Sequence, residues 1–259
     1  MAAKRRKKRK RRALRRGLLW LIALVFAAAA GYAAYLYITL PDVSGLKTDD
    51  PASTSMIRLR QNEARAKGRT LDVHLEWVPF DRIPTLLKES VRVTEDFSFY
   101  WHKGVDYAEL RESLKRDVRE GKLVRGGSTI TQQLAKNLYL STEKSFGRKL
   151  REYLIARRLE RALPKDRIFE IYLNVIEFGP GIFGVGAAAR RFFDTDVSSL
   201  DLEQIVRLTA VIPRPLSTDP LGSSEWLRWR CDWILGKLRL HKIISEDDYQ
   251  ALIGKLGTS

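Results

Sequence analysis

An apolar stretch near the start of the chain places the strongest constraint on its structure. From Gly17 to Leu40 no side chain carries a charge, and aromatic residues occur near both ends. At a rise of about 1.5 Å per residue, a helix of this length crosses the roughly 30 Å hydrocarbon layer of a bilayer. The apolar region of a signal peptide is shorter, about 7 to 15 residues. We therefore predict an uncleaved transmembrane helix over residues 17–40.

Most of the positive charge lies in front of this segment. Lys and Arg occupy every position of residues 4–12, and Arg15 and Arg16 follow; removing these eleven charges from the net charge of +16 leaves +5. A mildly basic body does not have the composition of a nucleic-acid-binding domain, and no nucleic acid is expected as a partner. By the positive-inside rule, the tail of residues 1–16 is predicted to be cytoplasmic and the chain after the helix to lie on the other side.

The remaining residues are predicted to form a polar linker or stalk, 41–67, and one domain, 68–259. A short strand is predicted over 71–77, and helices follow it because apolar residues recur at helical spacing. These helices are 84–94, 106–121, 129–140 with Ser128 as cap, 146–163, 165–173, 184–193, 200–212, 226–240 and 246–256. Trp226, Trp229 and Trp233 share one helical face, which we predict to be core. The fold class is therefore mainly α.

Cysteine and histidine chemistry is largely excluded. Cys231 is the only cysteine, so the chain has neither an internal disulfide nor a cysteine zinc site. The three histidines have no metal-binding spacing. No metal site is predicted from these residues.

A glycine-rich segment, Gly126 to Asn137, combines backbone freedom with polar side chains. On a helix, Ser128, Gln132 and Lys136 share a face, and Gln133 shares another with Asn137. Amides, a hydroxyl and an ammonium at a helix start suit a sugar that carries phosphate. An ordinary amphipathic helix with a serine cap explains this segment equally well.

A second polar cluster follows at residues 144–152. Lys144, Arg148, Lys149 and Arg151 surround one acid, Glu152. Such a cluster fits a pocket for a diphosphate, with Glu152 as its acid. The alternative is a surface ion pair between residues four apart, which contributes at most about 1 kcal/mol.

A third segment, Glu95 to Gly104, places two carboxylates beside four aromatic residues. Removal from water raises the pKa of a carboxyl group, and a glutamate with a raised pKa is suited to be a general base. The alternative is that Glu95 pairs locally and the aromatic residues are core. His102 and Gly104 are expected to hold the turn that follows.

Four motifs in this order resemble those of the peptidoglycan glycosyltransferases of glycosyltransferase family 51. They are Glu95-Asp96-x-x-Phe99-x-x-His102-x-Gly104, Gly126-Gly127-Ser128-Thr129-Ile130-Thr131-Gln132-Gln133-x-x-Lys136-Asn137, Arg148-Lys149-x-x-Glu152 and Glu170-x-Tyr172-Leu173-Asn174. One departure is Phe97, which stands where the family often has arginine. The resemblance implies a lysozyme-like helical glycosyltransferase domain behind the transmembrane helix.

The resemblance also implies a reaction and its residues. Lipid II would be polymerised into glycan strands by inverting transfer from an undecaprenyl diphosphate donor to the 4-hydroxyl of an acceptor sugar. Glu95 would be the base. Glu152 would be the second catalytic acid, which would orient the cations, bind a metal or assist the leaving group. Glu170 and Tyr172 would support the cleft with Asn174. The implied substrate-binding residues are Asp96, Gly127, Ser128, Thr129, Gln132, Gln133, Lys136, Asn137, Lys144, Arg148, Lys149, Arg151 and Asn174.

Partners and location follow from the same resemblance. It implies lipid II, the growing glycan strand and the membrane as partners, with cell-division or elongation proteins as further candidates. No cofactor is required, and a role for Mg or Mn is left open. The implied location is the bacterial inner membrane, with a single pass, a cytoplasmic N-terminus and a periplasmic catalytic domain. Two alternatives are a lysozyme-like muramidase or lytic transglycosylase, and a non-catalytic scaffold of cell division.

Overall fold

The computed structural model describes the backbone of residues 2–120, 127–143 and 145–256, with the side chains of residues 15–113, 115, 119, 127–143 and 145–256. The chain forms two compact units, Met1–Pro41 and Asp42–Ser259. The first is a single helix, α1 (Ala2–Ile38), whose part from Arg15 to Ile38 is apolar and long enough to cross a membrane. The helix starts before the predicted span because lysine and arginine are good helix formers.

The second unit consists mainly of helices, in agreement with the predicted fold class. Its helices are α2 (Ser55–Ala66), α3 (Thr85–Glu95), α4 (Tyr107–Glu120), α5 (Ile130–Tyr139), α6 (Phe146–Ala162), α7 (Lys165–Val175), α8 (Val185–Phe193), α9 (Leu202–Val211), α10 (Glu225–Leu240) and α11 (Glu246–Leu256). Short 3-10 turns occur at Ser44–Lys47, Phe80–Arg82 and Val197–Ser199. The strands are β1 (His74–Leu75), β2 (Glu177–Gly179) and β3 (Ile182–Phe183).

Helix α5 lies at the centre of one group of helices, in contact with α2, α6 and α7. Its residues Ile130, Leu134 and Leu138 recur every four positions and are buried, as expected for the apolar face of a core helix. A second group is formed by α3, α9 and α10. The two groups position the end of α3 and the start of α5, at which the first two of the four motifs lie.

The predicted linker, residues 41–67, is instead part of the folded domain from Asp42 onward. Thr54 caps α2 by accepting a hydrogen bond from the backbone N–H of Ile57, and Met56 and Ile57 are buried. Arg60 forms an ion pair with Glu177 of β2 at 2.9 Å. Only the first turn of α2 is buried, and the rest of the helix is partly exposed. Because exposed positions are mostly polar, the composition of this segment resembled that of a stalk.

The tryptophans of α10 are not core, contrary to the prediction. Its buried face consists of Leu227, Cys231, Ile234, Leu235 and Leu238. Trp229 is 53% exposed, whereas Trp226 and Trp233 are partly buried and lie against the cations of Arg214 and Arg230. The tryptophans and the buried residues of α10 both recur at helical spacing, so periodicity alone could not show which set forms the core. It is the second set that packs against the neighbouring helices.

A small sheet joins the segment before α3 to the end of α7. β3 pairs in parallel with β1 and antiparallel with β2, and only His74–Leu75 of the predicted strand 71–77 is regular. Gly184, which follows β3, has φ +81°, and a Cβ there would lie 2.4 Å from the carbonyl oxygen of Asn174. This close approach fixes the C-terminal part of α7 against the sheet.

Candidate active site

Glu95 is the last residue of α3, and two other helices contact its carboxylate. Gln133 of α5 donates an amide hydrogen bond to Oε2 at 3.0 Å, and Arg230 of α10 lies 3.2 Å from Oε1. The Glu95 side chain is 11% exposed. Three helices therefore hold one acid in a largely buried position that solvent still reaches.

Burial dominates the acidity of Glu95. Removal from water raises the pKa of its carboxyl group, while the Gln133 amide and the charges of Arg230 and Lys136 lower the pKa, and Asp96 raises it. Because the effect of burial is the largest, the pKa lies above the ordinary value for glutamate. Such an acid is suited to accept a proton from a substrate near neutral pH.

Asp96 fixes the turn that follows Glu95. Its carboxylate accepts hydrogen bonds at 2.9 Å from His102 Nε2 and from the backbone N–H of Ile130, in the first turn of α5. His102 Nδ1 accepts from the N–H of Gly104 at 3.1 Å, so the proton of the neutral ring lies on Nε2. His102 thus holds the turn through specific hydrogen bonds to Asp96 and Gly104. The carboxylate of Asp96 is engaged in hydrogen bonds within the protein.

Thr129 and Gln132, both predicted to bind substrate, form the cap of α5. Thr129 Oγ1 accepts from the N–H of Gln132 at 3.2 Å, and the N–H of Thr129 donates to Gln132 Oε1 at 3.1 Å. Thr129 Oγ1 also donates to the carbonyl of Gly104 at 2.7 Å. Both side chains are buried. Thr129, rather than the predicted Ser128, is the cap residue, because only its hydroxyl lies at the first free N–H groups of the helix.

Gln133 connects Glu95 to a buried tyrosine. Its amide nitrogen donates to Glu95, and its Oε1 accepts a hydrogen bond from the hydroxyl of Tyr172 at 3.0 Å. Tyr172 is fully buried. Asn137, one turn later on α5, donates through Nδ2 to the backbone carbonyl of Gln133 at 3.0 Å. The side-chain amide of Gln133 is therefore held by Glu95 at its nitrogen and by Tyr172 at its oxygen.

Glu152 has different surroundings from Glu95. It is buried on α6, and its two oxygens accept from Arg148 at 2.9 Å and from Lys149. Lys149 also donates to Ser128 Oγ at 2.9 Å, which ties the loop before α5 to α6. Of the predicted cation cluster, Arg148 and Lys149 are thus brought together around the acid, and Arg151 lies partly buried one residue before it.

Lys136 of α5 interacts electrostatically with both acids. Burial lowers the pKa of its ammonium group; the charges of Glu152 and Glu95 raise the pKa, and those of Arg148 and Lys149 lower it further. Within the described part of the chain, the ammonium of Lys136 makes no hydrogen bond. It is a cation with donors available for an anionic ligand.

Other predicted residues do not contact either acid or are not described. Asn174, predicted to bind substrate, is fully buried, and its amide bonds to the backbone of Val78 and to the carbonyl of Glu170. Its bonds to Val78 hold α7 to the segment between β1 and α3, so Asn174 has a structural role in this arrangement. Gly127 is partly buried beside Ser128. Lys144 lies outside the described residues.

The acids do not form a metal-binding set. Among the described side chains, no group of three or more His, Cys, Asp and Glu residues could hold a metal ion. Glu152, for which a metal-binding role was one expectation, already accepts hydrogen bonds from two cationic side chains. The donor atoms of the described side chains therefore do not fit a resident metal.

Arg230 is a site residue that the sequence analysis missed. It follows Glu95 by 135 positions and occurs in none of the four motifs. Its guanidinium lies 4.3 Å from the ring centre of Trp233, and its Nε is buried without a hydrogen-bond partner among the described residues. Only the packing of α10 against α3 brings it to Glu95.

Comparisons with known proteins identify the family of the chain. The transglycosylase family model matches residues 63–239. The biosynthetic peptidoglycan transglycosylase of Herminiimonas arsenicoxydans is 38% identical over 225 residues, which cover 87% of this chain and 96% of that protein. That of Alcanivorax borkumensis is 39% identical, covering 88% of this chain and 89% of its own length.

Two further matches cover less. The biosynthetic peptidoglycan transglycosylase of Aromatoleum aromaticum is 46% identical over 166 residues, 64% of this chain and 72% of that protein. The crystal structure of penicillin-binding protein 1A from Haemophilus influenzae matches 70% of this chain and 18% of its own, with 17% identity and a TM-score of 0.40. On the family model and the long relatives, the chain belongs to the transglycosylase family and is a peptidoglycan glycosyltransferase with a single apolar N-terminal helix.

Proposed function

We propose that the enzyme polymerises lipid II, an undecaprenyl diphosphate that carries a disaccharide peptide. The 4-hydroxyl of an acceptor sugar attacks the anomeric carbon of a donor, and the diphosphate of the donor leaves. One observation carries the proposal: Glu95, a largely buried acid with a raised pKa, is coupled through Lys136 to a cluster of cations around Glu152. A transfer to a hydroxyl with loss of a diphosphate needs both features.

Glu95 is the proposed general base. A sugar hydroxyl is a weak nucleophile and must lose its proton as the new bond forms, which a positioned base accelerates by about 10²- to 10⁴-fold. The pKa of Glu95 is raised by burial, so its carboxylate binds a proton more strongly than an exposed one. Its Oε1 faces Arg230 and its Oε2 faces Gln133, which limits the directions from which a hydroxyl can approach.

The cations are proposed to bind the diphosphate. Negative charge grows on phosphate oxygens as the glycosidic bond breaks, and cations already in position stabilise it without rearrangement. Lys136 contributes donors that no described residue uses, and Arg148 and Lys149 are held by Glu152. Glu152 therefore acts by orienting these two cations.

We further propose a single displacement. An α-linked donor that becomes a β-linked product is inverted, and inversion requires no covalent glycosyl-enzyme. Glu152, the second acid, is buried and accepts from two cations, so it is poorly placed to attack a sugar. This supports direct attack by the hydroxyl that Glu95 deprotonates.

The decisive experiment supplies lipid II to the detergent-solubilised full chain and measures glycan length. Growing strands are expected, and Glu95→Gln should abolish the growth. Shortening of preformed glycan would instead identify a muramidase or lytic transglycosylase. Binding of lipid II without any change in length would identify a scaffold.

Helix α1 anchors the enzyme, and we propose the orientation that places the basic tail in the cytoplasm of a bacterial cell. The catalytic domain then lies on the periplasmic side of the inner membrane. A reporter enzyme that is active only after export, fused behind Ser259, should be active. Activity of a cytoplasm-specific reporter at the same position would overturn the orientation.

A further inference from the structure

We propose that Tyr172 is a positioning residue for Glu95, acting through the side-chain amide of Gln133. Its hydroxyl holds the amide in the orientation that presents an N–H group to the carboxylate. Tyr172 is fully buried and so does not contact substrate itself. The importance of this positioning for the reaction rests on the proposed role of Glu95 as the base.

Two hydrogen bonds of equal length connect the three side chains. The Tyr172 hydroxyl donates to Gln133 Oε1 at 3.0 Å, and Gln133 Nε2 donates to Glu95 Oε2 at 3.0 Å. A weaker contact of 3.4 Å joins Nε2 to the carbonyl of Ser128. The oxygen of the amide thus faces α7, and its nitrogen faces α3.

The buried hydroxyl selects this orientation because it needs an acceptor. Within the described residues, Gln133 Oε1 is the acceptor of the Tyr172 proton. If the amide turned over, its nitrogen would face the tyrosine, and the hydroxyl proton would be buried without a partner. An unpaired buried donor is unfavourable, so Tyr172 disfavours the turned amide.

The orientation of the amide decides which form of Glu95 it stabilises. An N–H group favours the carboxylate, whereas the amide oxygen could only accept from a protonated Glu95. The other charged groups that face Glu95 are Arg230 from α10, Lys136 from α5 and the adjacent Asp96. These charges are present in either amide orientation, so they do not replace the effect of Tyr172.

Tyr172 remains a donor over the working pH range. Burial raises the pKa of its hydroxyl well above the ordinary value, and the nearby carboxylates of Glu95 and Asp96 raise the pKa further. The link between the tyrosine and the base is therefore present at every pH at which the enzyme is expected to work.

The test uses Tyr172→Phe in the full-length enzyme, since this variant keeps the ring and loses the hydroxyl. The acid limb of the pH profile of kcat/KM should move to higher pH by about half a unit to one unit. A merely structural role of the ring would leave this limb in place. In a Gln133→Met background, which has no amide to orient, Tyr172→Phe should produce no further shift.

A second measurement separates this inference from the proposed function. The carboxyl carbon of Glu95 can be titrated by NMR, with its signal assigned by its loss in Glu95→Gln, and its pKa should be higher in Tyr172→Phe than in the unmodified enzyme. If that rise occurs while Glu95→Gln stays active, the positioning holds and the base assignment fails. An unchanged pKa would overturn the inference. If Tyr172→Phe does not fold, Gln133→Met alone must show the rise, and its absence would likewise overturn the inference.

Discussion

Glu95 and Glu152 are both largely buried, yet their partners differ in kind. Glu152 accepts from Arg148 and Lys149, one cation at each oxygen. Glu95 has one neutral amide at Oε2 and one cation at Oε1. Burial raises the pKa of Glu95 despite these partners. Similar residue types in similar burial are therefore prepared for different tasks by what contacts them.

In the proposed mechanism, this difference in partners separates proton transfer from charge stabilisation. An acid with a cation at each oxygen is suited to orient its partners. An acid whose charged form is disfavoured by burial exchanges a proton more readily near neutral pH. The charges of both acids raise the pKa of Lys136, so this lysine is electrostatically linked to both proposed functions.

The largest effect is expected from Glu95→Gln. The amide keeps nearly the same shape but cannot accept a proton, so polymerisation should fall by about 10²- to 10⁴-fold while the variant still folds and binds lipid II. Strand synthesis from lipid II, normalised to bound substrate, measures the loss. A loss below about tenfold would remove Glu95 from the base role.

A smaller effect is expected from Lys136→Met, which removes a cation without removing either acid. Because a hydrogen bond to a charged group contributes about 1.5 to 3 kcal/mol, binding of lipid II should weaken by about ten- to a hundredfold. Binding of a lipid-free glycan without diphosphate should change little. The matched control is Lys255→Met on α11, where the lysine pairs with Glu203 at the surface. Equal losses on both ligands for Lys136→Met would point to misfolding or to glycan contacts.

Glu152→Gln should act mainly on the cations. The glutamine can still accept one hydrogen bond, and Lys149 is 47% exposed and can return to water, so we expect a loss of about 1 to 2 kcal/mol in stability. Its loss of activity should be smaller than that of Glu95→Gln, because the variant removes the partner of two cations but leaves the proposed base in place. If Glu152→Gln were the more damaged variant under every condition, the roles of the two acids would have to be exchanged.

Much of this comparison was predictable from local sequence. The spacing of Arg148 and Glu152 by four positions on a helix predicts their contact, and α6 provides it. The aromatic neighbours of Glu95 suggested a buried acid, and Glu95 is largely buried. Three of these aromatic side chains are nevertheless exposed, and the contacts of the carboxylate come from α5 and α10 instead. Helix existence was predictable for the same reason, since apolar periodicity is a local property of the chain.

The parts that the sequence could not provide depend on long-range packing. Arg230 reaches Glu95 only because α10 packs on α3, and its own helix gives no sign of the contact. Thr129 and Gln132 carry polar groups typical of a binding site. If α5 began one residue earlier or later, these groups would no longer cap the helix and could face a ligand instead. The tryptophans of α10 failed as core residues because a competing aliphatic stripe has the same period.

The smallest expected effect concerns stability, and it tests the acidity of Glu95 without any substrate. The pKa of Glu95 is raised in the folded protein, so its favourable contribution is fully present below the pKa of the unfolded chain and is lost as the pH rises through the folded pKa. Glu95→Gln should therefore be more stable than the unmodified enzyme at neutral pH, by on the order of 1 kcal/mol. This difference in stability between the variant and the unmodified enzyme should become smaller as the pH falls.

Glu203→Gln provides a control of opposite sign. Burial raises the pKa of Glu203, but Lys255 and Arg207 lower it more, so the folded pKa lies below the ordinary value and the ionised group stabilises the fold at neutral pH. Glu203→Gln should therefore be less stable than the unmodified enzyme at neutral pH and should approach it as the pH falls. Thermal unfolding of the detergent-solubilised proteins across this pH range measures both. If the two variants respond to pH with the same sign, burial does not control the charge of Glu95, and the contrast between the two acids of the cleft loses its physical basis.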